Sequence, residues 1–220
     1  MPCDTALLVG ATGLVGGHCL DRLLAARQYD RVIVFARRPL RREHPKLFES
    51  IIDFETLRDI EPFPTADVFC ALGTTIGKAG SQHAFLKVDF EYPSIIAERS
   101  AAAGATQFML VSSVGADPKS GNFYLRVKAE LEKAVSARPF EAVHIFRPSF
   151  LIGSRQEFRL GDTLGTASRA VAFALVGKLR KYRPIPAATV AAAMVNAAPQ
   201  TRPGRHIYHY DEILALGGQA

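Results

Sequence analysis

Short apolar runs bounded by turn residues alternate along the chain with longer stretches whose apolar positions recur every three or four residues. Thr5 to Val9 has the continuous apolar character of a strand buried on both faces. In Leu14 to Ala26, Val15, Cys19 and Leu23 recur on one helical face. Arg31 to Ala36 predicts a second strand, Ser50 to Phe54 a third and Asp67 to Leu72 a fourth. Ala84 to Ala103 predicts a long helix stopped by Gly104. Gln107 to Ser112 predicts a fifth strand, Asn122 to Ala137 a helix, and Ala142 to Phe146 a sixth strand. Past Arg147 the alternation weakens. Leu164 to Leu179 and Ala187 to Ala198 read as helices, and Arg205 to Tyr210 as a last strand.

Continuous apolar strands separated by helices predict an α/β fold, a doubly wound parallel sheet with helices on both faces. A chain of 220 residues suits one domain. Residues of about 1–150 are expected to form its cofactor-binding core, and about 151–220 a small C-terminal lobe on the substrate side.

The first predicted strand gives way to the first predicted helix through Gly10-Ala11-Thr12-Gly13-Leu14-Val15-Gly16. At such a junction, backbone N–H groups and the positive helix end face outward and suit a pyrophosphate. Gly10 would allow the tight turn, Gly13 the close approach of phosphate, and Gly16 the packing of helix on sheet. The spacing is GxxGxxG rather than GxGxxG. The second strand ends Phe35-Ala36-Arg37-Arg38, with no acid to take a ribose 2′-hydroxyl. Arg37 and Arg38 instead suit a 2′-phosphate, so NADP(H) is expected over NAD(H). Asp53 would either accept from an adenine amino group or stand in a turn. Ala71, Leu72 and Gly73 close the fourth strand with small or apolar groups that would let a nicotinamide lie across it. Pro148 and Leu151 follow the sixth strand at the same carboxyl edge, where they either border the nicotinamide or form a plain turn.

Tyr124 and Lys128 stand four apart in a predicted helix, on one face and about one turn apart. A free phenol has a pKa of about 10 and must fall roughly three units to exchange a proton near neutral pH. An ammonium beside it favours that change. Ser112 and Ser113 end the fifth predicted strand at the same edge.

The net charge of +6 comes without aromatic interleaving or a nucleic-acid motif, so no nucleic-acid role is expected. Cys3, Cys19 and Cys70 are scattered and odd in number, which argues for reduced thiols and against a disulfide framework or a zinc site. His206-x-x-His209 lies in an apolar–polar alternation and reads as strand or surface histidines, not metal ligands. No run reaches the roughly 18 apolar residues of a membrane span. No targeting segment stands out, so a cytoplasmic protein is expected.

Taken together, the GxxGxxG turn, the Ser-Ser strand end, Tyr-x-x-x-Lys and Arg147-Pro148 resemble the short-chain dehydrogenase/reductase superfamily, in its atypical, extended branch of the NAD-dependent epimerase/dehydratase type. Leu72-Gly73-Thr74-Thr75, Gly77-Lys78-Ala79-Gly80, Gly115-Ala116-Asp117 and Asn122-Phe123-Tyr124-Leu125 are similar to runs in the Tat-interacting-protein-like oxidoreductases. This resemblance implies a Rossmann fold and a Ser–Tyr–Lys site. By position, Ser113 matches the catalytic serine better than Ser112, and Lys128 would hold the nicotinamide ribose. The resulting expectation is an NADP(H)-dependent oxidoreductase acting on a small carbonyl or alcohol. Two alternatives stay open: a cofactor-binding regulator with little turnover, and an epimerase or isomerase with tightly held cofactor. A second copy of the chain stays open as a partner.

Overall fold

The computed structural model describes residues 5–60, 64–153, 175–200 and 202–218. Seven strands form a parallel sheet: β1 (Thr5–Val9), β2 (Arg31–Ala36), β3 (Leu47–Ile51), β4 (Asp67–Cys70), β5 (Gln107–Val111), β6 (Ala142–Phe146) and, from near the C-terminus, β9 (Gly204–Tyr208). Their order is β3-β2-β1-β4-β5-β6-β9. Val9 is in register with Phe35 on one side and Cys70 on the other, and Cys70 with Leu110, so these strands finish at one edge. The strand order reverses between β1 and β4, the place where sheets of this kind bind ligands.

Strand residues alternate between two cores, as the period of two requires. Leu8, Val34, Phe69 and Met109 pack with α1 (Leu14–Ala25) on one face. Leu7, Ile33, Val68, Phe108 and Leu110 pack on the other, against Ile96 and Leu131. Those last two belong to α4 (Tyr92–Ala102) and α5 (Phe123–Ser136). The first face is completed by α6 (Ala187–Ala197) and α7 (Tyr210–Gly217). Alanines dominate α6 and let it lie buried close to its neighbours. A short parallel pair, β7 (Leu151–Ile152) with β8 (Ile185–Pro186), sits apart from the main sheet.

Several element bounds differ from the sequence expectation, each for a local reason. The third strand spans Leu47–Ile51, not 50–54, because Asp53 leaves the ladder. Its carboxylate accepts from the Glu55 N–H at 3.0 Å and caps a 3₁₀ turn, Phe54–Thr56, that buries Phe54. The helix expected over 84–103 starts earlier as α3 (Gln82–Leu86), where the Ser81 hydroxyl caps Ala84 N–H at 3.0 Å. It then widens into a π-turn over Lys87–Glu91 before continuing as α4. Pro93 accounts for the widening: its ring has no N–H and would crowd the carbonyl four residues back, at Asp89. The last strand ends at Tyr208, and His209 begins α7, a helix absent from the sequence expectation. Of the helix expected over 164–179, residues 164–174 lie outside the described residues, and Gly177–Tyr182 forms a 3₁₀ helix. A four-residue helix, α2 (Ile76–Ala79), follows β4.

Candidate functional site

The glycine turn crosses the reversal point of the sheet. Gly10 has φ of 90°, and a Cβ there would lie 2.6 Å from the carbonyl carbon of Ala71, so no other residue fits. At Gly16 a Cβ would lie 2.0 Å from the Gly10 carbonyl oxygen, which lets α1 start directly behind the turn. Gly13 is the N-cap of α1 and supplies no side-chain cap. The N-cap residue thus places no side chain over the start of the helix, an arrangement that fits the close approach of a pyrophosphate. Thr12 is exposed beside this opening, whereas Val15 and Gly16 are buried and serve packing.

Arg37 and Arg38 are exposed directly after β2. Among the described residues neither takes part in an ion pair, while the nearby Arg42 is engaged with Asp21. Asp53 fills the turn role of its two expected roles, with its carboxylate on the Glu55 N–H.

A cleft of about 700 Å³ opens at the carboxyl edge of the sheet. Leu72, Gly73, Ser113, Tyr124, Lys128, Pro148 and Leu151 all line it. Ala71 lies just behind, against Gly10. The structure thus brings the Ser, Tyr and Lys of the expected site onto one cavity. Asn122 caps α5 through its carboxamide oxygen, 2.9 Å from the Tyr124 N–H, and so fixes Tyr124 in the first turn. The Tyr124 ring leans on Phe85 at 5.7 Å between centroids, and the Lys128 Nζ lies 5.8 Å from the tyrosine ring centre.

The two serines separate by their partners. The Ser112 hydroxyl is buried and donates to Glu132 Oε1 at 2.5 Å. Glu132 also receives Arg147 through Nε at 2.9 Å and Nη2 at 2.5 Å. Ser113 is half-buried, lines the cleft, and donates to the adjacent Val114 carbonyl at a long 3.3 Å. Its hydroxyl is therefore available to a ligand in a way that the Ser112 hydroxyl is not.

Two further acids complete the site, and neither was expected from the sequence. Asp89 projects from the π-turn and is wholly buried. One of its oxygens lies 2.7 Å from Lys128 Nζ, and the other accepts from the Thr74 N–H at 2.7 Å. Glu132 stands one turn beyond Lys128, so Tyr124, Lys128 and Glu132 form one row along α5. That spacing was readable in the sequence; the pairing of Asp89 was not. The Cys70 thiol, at the end of β4, is pushed up to about 11 by burial and stays protonated. Among the described residues no group of acids, histidines and cysteines is placed to hold a metal ion, and no helix is long and apolar enough to cross a membrane.

No protein-family model matches the chain. Solved structures with the same fold include MoeE5 in complex with UDP-glucuronic acid and NAD, at 18% identity and a TM-score of 0.70 over 98% of this chain and 82% of that one. UDP-N-acetylglucosamine 4-epimerase from Methanobrevibacter ruminantium is similar at 15% identity and a TM-score of 0.69, over 95% of this chain and 77% of that one. At such identities the likeness establishes the Rossmann fold. Among curated proteins, "Protein HTATIP2" of Rattus norvegicus is 36% identical over 223 residues, 99% of this chain and 90% of the relative. "Protein FMP52, mitochondrial" of Coccidioides immitis is 31% identical over 231 residues, 98% of this chain and 94% of the relative. The fungal names correct the expectation of a cytoplasmic protein: relatives from several fungi are named mitochondrial, so reduced thiols and the lack of a visible targeting segment did not fix the compartment. With relatives above 30% identity matched over 98% or more of its length, the chain belongs to the HTATIP2/FMP52 family, and its fold is the one the solved NAD-bound epimerase-type structures share.

Proposed function

We propose that the protein is an NADP(H)-dependent oxidoreductase that reduces a carbonyl, or oxidises the corresponding alcohol, within one domain whose residues of about 1–150 hold the cofactor. The observation that carries this reading is that Ser113, Tyr124 and Lys128 line one cleft beside the glycine turn. The residues present fit a dinucleotide. The backbone from Gly10 through Gly16, with Thr12 and Leu14 at its opening, would take the pyrophosphate. Arg37 and Arg38 would take a 2′-phosphate. Ala71 to Gly73, Pro148 and Leu151 would border the nicotinamide, and Lys128 its ribose. When bound, the cofactor would supply or accept the hydride.

The chain's own groups handle the proton. In reduction the Tyr124 hydroxyl gives its proton to the carbonyl oxygen, and in oxidation the phenolate takes it back. The Ser113 hydroxyl donates to the same oxygen and stabilises the charge that develops there. Lys128, pinned by Asp89, holds its ammonium 5.8 Å from the centre of the tyrosine ring, on the same side of the cleft. Ser112, Glu132 and Arg147 tie the strand ends to α5 and keep the cleft in shape.

Calorimetric titration with NADPH and NADH, followed by NADPH oxidation against a panel of aldehydes and ketones, tests the proposal. Tighter NADPH binding and net oxidation are expected. NADPH binding with no turnover of any carbonyl would favour a cofactor-linked regulator. Conversion of a sugar nucleotide without net NADPH consumption would favour an epimerase.

A further inference from the structure

The lining of the cleft divides by chemistry. The end of β5 and the start of α5 contribute the polar groups Ser113, Tyr124 and Lys128. The start of α2, the loop after β6 and the 3₁₀ helix before β8 contribute Ile76, Phe150 and Tyr182. These three large side chains keep 38%, 43% and 38% of their surface exposed, although most such side chains among the described residues are buried. The apolar surface runs on past the cleft: Ile152 in β7 and Leu179 in the 3₁₀ helix are 55% and 53% exposed. Apolar surface gathered at the mouth of a polar reaction centre marks a place where a ligand excludes water.

This wall is built rather than loose. The Ile185 N–H donates to the Phe150 carbonyl at 2.9 Å, and the Ser149 hydroxyl donates to the Arg183 carbonyl. These bonds fasten the loop carrying Phe150 to the segment carrying Tyr182.

Charge supports the same conclusion. Among the described residues, the charged groups lining the cleft are Lys78, Asp89 and Lys128, and the last two pair at 2.7 Å. The diphosphate of a nucleotide-linked sugar would call for several cations converging on it.

We infer that the cleft takes a carbonyl compound with an extended apolar body, rather than a nucleotide-linked sugar; the inference rests on the oxidoreductase reading above. In the reduction, the carbonyl carbon gains a C–H bond with two electrons from NADPH. The oxygen takes the Tyr124 proton, and the alcohol and NADP⁺ leave.

The test uses the full chain saturated with NADP⁺ and straight-chain primary amides from acetamide to octanamide as unreactive carbonyl probes. Affinity, read by calorimetry, is expected to rise roughly two- to fourfold per methylene, the gain for burying such a group. Ile76→Asp and Tyr182→Asp, both at exposed positions, are each expected to flatten the series, and UDP-glucose to bind more weakly than octanamide. Affinity independent of chain length, or UDP-glucose binding tighter than octanamide, overturns the inference. The matching aldehydes are then followed by NADPH oxidation, where kcat/KM should rise in parallel. Length-dependent amide binding without aldehyde turnover upholds the apolar specificity and overturns the oxidoreductase reading. Aldehyde turnover indifferent to length does the reverse.

Discussion

The Lys128 ammonium lies 2.7 Å from the Asp89 carboxylate, with the two side chains 4% and 0% exposed. Lys128 therefore acts beside Tyr124 as half of a buried ion pair, not as a lone cation. Asp89→Asn preserves shape but removes the carboxylate paired with the buried ammonium. A loss of roughly 3–5 kcal/mol in unfolding free energy is expected, read by urea denaturation. Pairing it with Lys128→Met should restore part of that loss, because no unpaired charge then remains. Strict additivity of the two losses would show that the pair is not coupled.

The serine doublet makes a paired forecast. Ser112→Ala removes a donor to the Glu132 carboxylate and should cost about 1.5–3 kcal/mol of stability, the range for a hydrogen bond to a charged group. Its turnover should remain near that of the wild type. Ser113→Ala should do the opposite, keeping the melting temperature and lowering kcat by roughly 10²–10³-fold, as loss of an oxyanion donor does. Thermal melts and steady-state kinetics on both variants check this, and a kinetic defect confined to Ser112→Ala would reverse the assignment.

Cofactor choice should rest on the exposed pair after β2. Arg37→Ala and Arg38→Ala together should weaken NADPH at least roughly 10- to 150-fold, the equivalent of one charge-assisted contact of about 1.5–3 kcal/mol. NADH, with no 2′-phosphate, should be affected little. Equal weakening of both cofactors in a calorimetric titration would place the arginines elsewhere in the recognition.

Much of this was legible in the sequence because the relevant residues are near one another in it. Gly10 to Gly16 form one turn, and Tyr124 and Lys128 share one helix face, so spacing alone fixed their relation. Asp89 reaches Lys128 from a separate helix, through a π-turn that Pro93 accounts for, and no local pattern signals that meeting. The third strand was misread because Ile51, Ile52 and Phe54 look like one apolar run, although Asp53 turns the chain within it. The helix over Tyr210–Gly217 was missed because the apolar alternation of the last strand leads straight into its cap at His209.

Stability should fall on mild acidification because of His144. Its imidazole is wholly buried, with Nδ1 2.9 Å from the Tyr208 hydroxyl and the ring stacked on His206. Burial first, and then the nearby His206 and Arg202, push it down from the ordinary 6.5 to about 4. Between these values the unfolded chain binds a proton that the folded chain refuses, so unfolding becomes easier as pH falls through the window. His209, pushed down mainly by burial, adds in the same direction. Melting temperature measured between pH 7 and 4 should drop, and His144→Gln should shallow that slope whatever its effect at pH 7. An unchanged slope would remove His144 as the cause.

Tyr124→Phe is the cleanest probe of the chemistry, because the structure separates the tyrosine's ring from its hydroxyl. The ring leans on Phe85, and phenylalanine keeps that contact. The Asn122 cap acts on the Tyr124 backbone N–H, and it too survives. Fold and NADPH affinity should therefore persist while turnover falls by roughly 10²–10⁴-fold, the range for a positioned acid–base group. Lys128 variants cannot give so clear an answer. Removing that side chain leaves the buried Asp89 carboxylate without its counter-ion, so a kinetic loss would be mixed with a loss of fold. Single-turnover oxidation of bound NADPH isolates the chemical step from product release. A Tyr124→Phe protein that is folded, binds NADPH normally and turns over within about threefold of the wild type would show that the proton comes from another group, since positioned proton transfer contributes far more than that.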